Sequence, residues 1–186
     1  MTSDARLTSQ EISDAIDDWA YRGDRNIHGD TERTVLFIGD SHMQQFMPRV
    51  VQLMQQHEAP VRTVVFRTRG GCIPIPGIGR KSRDCGSFVD EAFAAALGPE
   101  VDTVIVGAAW TGFLRWEDQY RIGDERQAPL ALPGADLDWA LAELETALGE
   151  LVAAGKRVSI VLSTPSSRRF DPTLMAKRVG FGFEVS

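Results

Sequence analysis

The chain has 186 residues, 43% of them hydrophobic and 25% charged, with a formal net charge of −6. That size and composition fit one globular domain with a core of its own rather than a disordered chain. The acidic balance argues against a nucleic-acid partner, no apolar run approaches the roughly 18 residues of a membrane helix, and Met1 to Arg6 lacks the apolar core of a secretory signal, so work outside the cytoplasm would need a carrier beyond these residues.

Residues 8–22 are predicted as an amphipathic helix. Thr8 and Glu11 match a capping box, Ile12, Ala15, Ile16, Trp19 and Ala20 form the apolar stripe, and Gly23 is the stop. The polar stretch 24–33 reads as a loop with His28 solvated in it, and residues 1–30 are taken as an N-terminal helix and linker ahead of an α/β domain over 31–186. Val35 to Ile38 is an apolar run of the kind buried on both faces of a sheet. It stops at Gly39-Asp40-Ser41, after which Met43, Phe46, Met47, Val50, Val51 and Met54 recur on one helical face. Pro48 predicts a first-turn kink or a later helix start, and His57 is placed near the end of that helix, on the surface.

Arg62 to Arg67 is predicted as a second strand, running into a long structured loop that holds Gly70, Gly71, Pro74, Pro76, Gly77 and Gly79. Phe88 to Leu97 reads as a short helix ended by Gly98-Pro99. Val101 to Ala109 reads as a third strand ending at Trp110, and 115–135 as a second long loop. A helix over 137–154 with Gly155 as its stop and a strand over Val158 to Leu162 complete the pattern. Strands alternating with helices imply a three-layer, doubly wound parallel sheet with right-handed crossovers. Periodicity fades from Thr164 to Ser186 without an obvious closing helix, so the fold is expected to lack its C-terminal part.

Three features bear on chemistry. A serine at the strand-to-helix join stands at the carboxyl edge of the sheet, where open α/β sheets place their ligands; Ser41 reads either as a nucleophile or, with Asp40, as a helix-capping residue. Cys72 and Cys85, thirteen apart in a Gly- and Pro-rich stretch, read either as a disulfide or as two reduced thiols, and the loop, having little else to hold it, favours the crosslink. Arg67, Arg69, Arg80, Lys81 and Arg83 make this loop basic, which suits an anionic ligand or simply a solvated face. No Gly-x-Gly-x-x-Gly or Walker motif is present, and His28, His42 and His57 lack metal-ligand spacing, so no metal site is expected. What remains at the carboxyl edge is Ser41, Gly70-Gly71 and Trp110-Thr111-Gly112; the Ser41 and Gly71 amides are candidate donors to an oxyanion.

Gly39-Asp40-Ser41-His42, the Gly71-Cys72-Ile73-Pro74 segment with Cys85 downstream, and a third strand ending at Trp110 together resemble the SGNH (GDSL-type) hydrolase superfamily. Within it, the set is most similar to the SGNH domain fused to acyltransferase-3 membrane proteins, over roughly residues 30–170. The resemblance implies a flavodoxin-like α/β fold and Ser41 as nucleophile, with the Ser41 and Gly71 amides as oxyanion donors; Asp40, His42, Gly70 and Trp110 support them. It implies acyl transfer to or from a carbohydrate hydroxyl, commonly of acetyl, as an O-acyltransferase or esterase acting on an envelope polysaccharide, with a carbohydrate acceptor and an acyl donor as partners, in a periplasmic or extracytoplasmic setting. A membrane acyltransferase domain would lie in the parent protein, and no cofactor is implied.

Two departures follow from the same comparison. Ala108-Ala109-Trp110-Thr111 stands where the superfamily has Gly-x-Asn-Asp, so the side-chain oxyanion donor is lost or replaced; such a donor is typically worth about 3 kcal/mol in the transition state. The superfamily's Asp-x-x-His has no counterpart: Asp171 is followed by Pro172, Thr173 and Leu174, and no histidine follows His57. His42 is poorly directed to replace it, since adjacent helical side chains diverge by about 100°. The expectation is an acyl-transfer domain catalytically incomplete as it stands. The alternatives are a non-catalytic glycan-binding module of the same fold and a flavodoxin-like ligand-binding domain.

Overall fold

A computed structural model of the chain describes residues 24–56, 60–80, 84–113, 120–122, 128–129, 134–163, 176–179 and 182–185. The elements in chain order are β1 (Asp24–Ile27), β2 (Thr31–Gly39), α1 (Ser41–Gln44), α2 (Met47–Gln56), β3 (Arg62–Thr68), β4 (Ile78–Arg80), α3 (Gly86–Ala96), β5 (Val101–Gly107), α4 (Trp110–Phe113), β6 (Tyr120–Ile122), β7 (Ala128–Pro129), α5 (Ala135–Ala153), β8 (Arg157–Val161), β9 (Ala176–Val179) and β10 (Gly182–Val185). The helix expected over 8–22, His57, Lys81, Arg83 and Asp171 to Leu174 lie outside the described residues.

The main sheet has the order β1-β3-β2-β5-β8, with β2 parallel to both neighbours and β8 parallel to β5. Strand period two sorts its side chains onto two faces. Leu36, Ile38, Val65, Val104, Val106 and Val158 join the cluster that holds α3 and α5, whereas Val35, Phe37, Val64, Phe66 and Ile105 join that of α2. Phe37 and Phe66 stack at 4.5 Å on the second face. Helices therefore cover both faces, and the expected three-layer α/β architecture is present. The chain leaves β2 for β3 on one side and then crosses to β5 on the other. The carboxyl end of β2 is thus the switch point of the sheet.

Some expectations need correction. Residues 24–33 are not a loop: Asp24–Ile27 pair antiparallel with β3 and make the sheet mixed at this edge, and β2 already begins at Thr31. Polar side chains are compatible with an edge strand, whose outer face meets water. The helix after β2 is broken into α1 and α2; Pro48 lies in the first turn of α2, where its missing N–H costs nothing. Phe46, expected on the apolar stripe, falls at that break and is 44% exposed. The third strand ends at Gly107 rather than at Trp110. The loop after it carries β6 and β7, which form a three-stranded antiparallel ribbon with β4. The stretch after Thr164 carries the β9–β10 hairpin. Gly155 stops α5 as expected: at φ 80° it allows the Gly155 and Lys156 amides to close back on Val152 and Leu151.

Cys72 and Cys85 form a disulfide and are both buried, among Ile73, Ile75, Ile78, Phe88 and Val89. Closing a loop of thirteen residues removes chain entropy worth about 3 kcal/mol. Cys72→Ala with Cys85→Ala is therefore expected to lower the unfolding free energy by about that amount in urea titrations, and dithiothreitol is expected to destabilise the wild type but not the double variant.

At the amino edge, Asp102 of β5 collects cations from its two neighbours, β2 and β8, and from β3 beyond β2. Arg62 lies 3.0 Å away, Arg157 3.1 Å and Arg33 3.6 Å, and the Thr103 hydroxyl donates at 2.9 Å. Burial alone would raise the Asp102 pKa, but the Thr103 hydroxyl and the Arg62 and Arg157 guanidiniums outweigh it and hold the carboxyl below the ordinary 3.8. A depressed folded-state pKa gives stability that is present above the unfolded value and lost as pH falls through the folded one. Asp102→Asn is expected to cost about 1 kcal/mol at pH 7 in thermal or urea unfolding. The gap between the two proteins should close on acidification below about pH 4.

Candidate active site

The carboxyl edge is assembled from the turns that follow β2, β3, β5 and β8. In the first of these, Asp40 is the N-cap of α1 in extended conformation, and its buried carboxylate is used at both oxygens. Oδ1 accepts from the His42 amide at 2.8 Å, closing the cap, and Oδ2 accepts from the Ala109 amide at 2.9 Å, across to the turn after β5. Gly39 ties the same turn to its other neighbour, since its carbonyl accepts from the Arg69 amide at 3.0 Å, just past the end of β3. Met43 lies beneath, 1% exposed. Ser41 follows Asp40 as the first residue of α1 and is exposed. A buried anion thus fixes the backbone on which an accessible hydroxyl stands.

After β3 the backbone turns at Arg69–Cys72, closed by the Cys72 amide donating to the Arg69 carbonyl at 3.0 Å, with Gly71 at φ 75°. That left-handed conformation suits glycine and strains other residues. Among the described residues neither the Ser41 amide nor the Gly71 amide is used as a donor. Gly70 is the other central residue of this turn.

His42 is 55% exposed in its side chain, and its Nδ1 lies 3.7 Å from Asp40 Oδ1. The imidazole is therefore associated with the capping carboxylate. Trp110 opens α4 and sends its indole N–H to the Val161 carbonyl at 2.8 Å, while the Ser163 hydroxyl donates to the Ala108 carbonyl at 3.1 Å. Trp110 thereby braces the ends of β5 and β8 against each other. His28 is exposed just after β1.

The basic stretch is largely engaged within the fold. Arg67 pairs with Asp24 at 2.5 Å. Arg69 donates to the Asp84 carbonyl at 2.6 Å and lies 4.5 Å over the Phe88 ring. Arg80 donates to the Gly71 carbonyl at 3.1 Å and lies 5.8 Å over the Tyr120 ring. Tyr120 is 4% exposed, edge-on to Phe113 at 5.1 Å. Burial pushes its phenol above the ordinary 10.0; the Arg80 charge pulls the other way and the Asp40 charge adds to the rise. Sequence reasoning missed Tyr120 as a neighbour of the site; the only signal was the length of the loop that carries it.

Among the described residues no cluster of His, Cys, Asp and Glu could hold a metal ion, and no helix is long and apolar enough to cross a membrane. A groove of about 850 Å³ lies elsewhere, between β1 and α2, and is lined by none of the turns just described.

The family model for the SGNH domain (fused to AT3 domains) matches residues 9–185. The chain belongs to this SGNH family. In the family, the SGNH domain is attached to AT3 domains, the acyltransferase-3 membrane portion expected from the motifs. Among solved structures, the SGNH chain is similar to the periplasmic domain of a lipopolysaccharide acetyltransferase from Salmonella ser. Paratyphi A. The two share 10% identity with a TM-score of 0.50, over 86% of this chain and 51% of that one. The SGNH chain thus spans about half the length of that structure, and the likeness is one of fold. No match is found among the curated proteins.

Proposed function

We propose that this SGNH domain carries out serine-dependent acyl transfer onto a hydroxyl of a cell-envelope polysaccharide, with Ser41 as the nucleophile. The observation that carries this reading is the Asp40 clamp. A buried carboxylate holds the turns after β2 and β5 together and presents an exposed serine at the switch point of the sheet. In the reaction, the Ser41 hydroxyl attacks the carbonyl carbon of the acyl donor and passes its proton to a base. Charge develops on the carbonyl oxygen and is met by the Ser41 and Gly71 amides. Collapse expels the donor's leaving group and leaves an acyl-serine; a glycan hydroxyl then attacks it, the product ester departs and Ser41 regains its proton.

The base is the piece these residues supply least well. Only His28, His42 and His57 are present, and His42 sits against Asp40. We therefore assign the base to none of these three histidines, in keeping with the missing Asp-x-x-His. Acetyl is the favoured acyl group, because the Salmonella domain of similar fold belongs to an acetyltransferase. An extracytoplasmic location is supported by the buried disulfide, since such bonds persist in oxidising compartments. The partners that follow are a carbohydrate acceptor, an acyl donor and an AT3 membrane domain.

The test is a fluorophosphonate probe applied to the complete native polypeptide that carries these residues. Label is expected on Ser41 and is expected to vanish in Ser41→Ala, with the thermal midpoint unchanged. A wild-type protein that binds the polysaccharide but takes no label would make this a glycan-binding module of SGNH fold instead.

A further inference from the structure

The acyl-transfer reading asks the Gly70-Gly71 bend to hold one amide still while charge builds in front of it. A double glycine is the least suited pair to do so unaided, because glycine restricts its own backbone less than any other residue. Among the described residues the bend is held from outside on both sides. The Arg69 amide binds the Gly39 carbonyl on one side of the bend, and the Cys72–Cys85 disulfide anchors the other. A further hold acts on the bend itself: Arg80 Nη1 donates to the Gly71 carbonyl at 3.1 Å.

Arg80 is itself well placed. It is the last residue of β4, directly opposite Tyr120 in the β4–β6 register, and its guanidinium lies 5.8 Å over that buried ring. Tyr120 is in turn set edge-on to Phe113, at the end of α4. A Cβ on Gly71 would fall 1.8 Å from Arg80 Nη1, so the guanidinium occupies the space that a side chain at position 71 would need. Glycine at 71 is required by its positive φ, and a side chain there would also push the flexible end of Arg80 off the carbonyl.

We propose that Arg80, seated on Tyr120, is the positioning residue of the oxyanion bend: its hydrogen bond to the Gly71 carbonyl fixes the Gly71–Cys72 peptide plane, and through it the bend on which the Gly71 amide faces the developing charge. This rests on the acyl-transfer reading. Arg80 is not placed against the reacting atoms; it acts through the bend. A planar, forked guanidinium suits the role, because it can lie flat over a ring while an N–H at its edge donates to a carbonyl, a geometry that a compact ammonium reproduces only in part. The long loop that carries β6 then has a structural reason to reach the site, which is to bring Tyr120 beneath Arg80.

Two measurements on the complete native polypeptide test this together. In the first, the second-order rate of Ser41 labelling by the fluorophosphonate, whose phosphoryl oxygen takes the oxyanion position, is compared among variants. Arg80→Met is expected to slow labelling roughly tenfold to a hundredfold, the range over which misplacement of a preorganised donor acts. Arg80→Lys is expected to recover part of that loss, and Tyr120→Leu to reproduce part of it. Arg67→Met, which removes a cation paired with Asp24 instead, is expected to label at the wild-type rate. In the second, the Gly71 and Cys72 amide signals in proton–nitrogen spectra are expected to shift and exchange faster in Arg80→Met, and to stay in place in Arg67→Met. Unchanged Gly71 and Cys72 signals in Arg80→Met would overturn the proposal, and so would a wild-type labelling rate in that variant. A wild-type protein that takes no label overturns the acyl-transfer reading instead, and the amide signals then report by themselves whether Arg80 holds the bend.

Discussion

Gly39→Ala is expected to be the most damaging single-methyl substitution at the site, lowering the unfolding free energy by about 3 kcal/mol or more. A Cβ at position 39 would lie 1.9 Å from the Gly107 carbonyl oxygen and 2.4 Å from Met43 Cγ. The first of these is backbone in the adjacent strand, paired in register with Gly39 itself, and cannot retreat without pulling β2 and β5 apart. The second is fully buried. Gly107 faces the same methionine, with a hypothetical Cβ 2.4 Å from Met43 Sδ. The two glycines together make the space into which Met43 packs beneath the Ser41 turn. Gly149→Ala, in α5 with nothing within 4 Å of the added carbon, serves as the control. It should gain up to about 1 kcal/mol from helix propensity. Urea titrations of the three proteins decide the matter: wild-type stability in Gly39→Ala would show that β2 and β5 do not approach as closely as described.

Asp40→Ala is expected to cost about 3 kcal/mol and to slow labelling of Ser41 as well. The substitution leaves the His42 and Ala109 amides without the carboxylate oxygens that accept from them at 2.8 and 2.9 Å. Hydrogen bonds to a charged partner are worth roughly 1.5–3 kcal/mol each, and the lost helix cap is already part of that sum. Asp40→Asn keeps one acceptor oxygen and turns an NH2 toward the other donor, so about half the loss is expected. The two variants separate capping from clamping. If the asparagine chooses the cap, α1 survives while the turn after β5 comes loose, which the Ala109 amide signal reports directly. An Asp40→Ala protein as stable as the wild type would show that the clamp does not hold the site together.

How much of this could be read from residues in a line differs from element to element. The alternation of Val35-Leu36-Phe37-Ile38 with the amphipathic stretch behind it was enough to place a buried strand and a helix. The same holds for Val101 to Val106 and for α5 with Gly155 behind it, because local periodicity and stop signals specify such elements through short-range sterics. The position of Ser41 at a sheet edge followed from that order. The Cys72–Cys85 bridge was legible as a preference from the spacing and the loop between. Strand β1 was not legible: Asp24-Arg25-Asn26-Ile27 has no apolar alternation, and its conformation is set by the ladder to β3. Nor were β6 and β7, which run three and two residues in a polar stretch and exist through pairing with β4 and with each other.

The site divides along the same line. From the chain alone came the identity of the serine, the double glycine and the family to which they belong, since these depend on residues adjacent in sequence or in a fixed order. Only the tertiary structure assigned the second oxygen of Asp40 to Ala109, sixty-nine positions away, and Arg80 to the carbonyl of Gly71. It also turned Trp110 into a brace on Val161 and drew Arg67, Arg69 and Arg80 into contacts with Asp24, Asp84, Gly71 and the rings of Phe88 and Tyr120. Local sequence can say that a carboxylate or a guanidinium is available. Which donor or acceptor it meets is decided by how the strands are ordered across the sheet, and that order is settled by the packing of two faces rather than by any one segment.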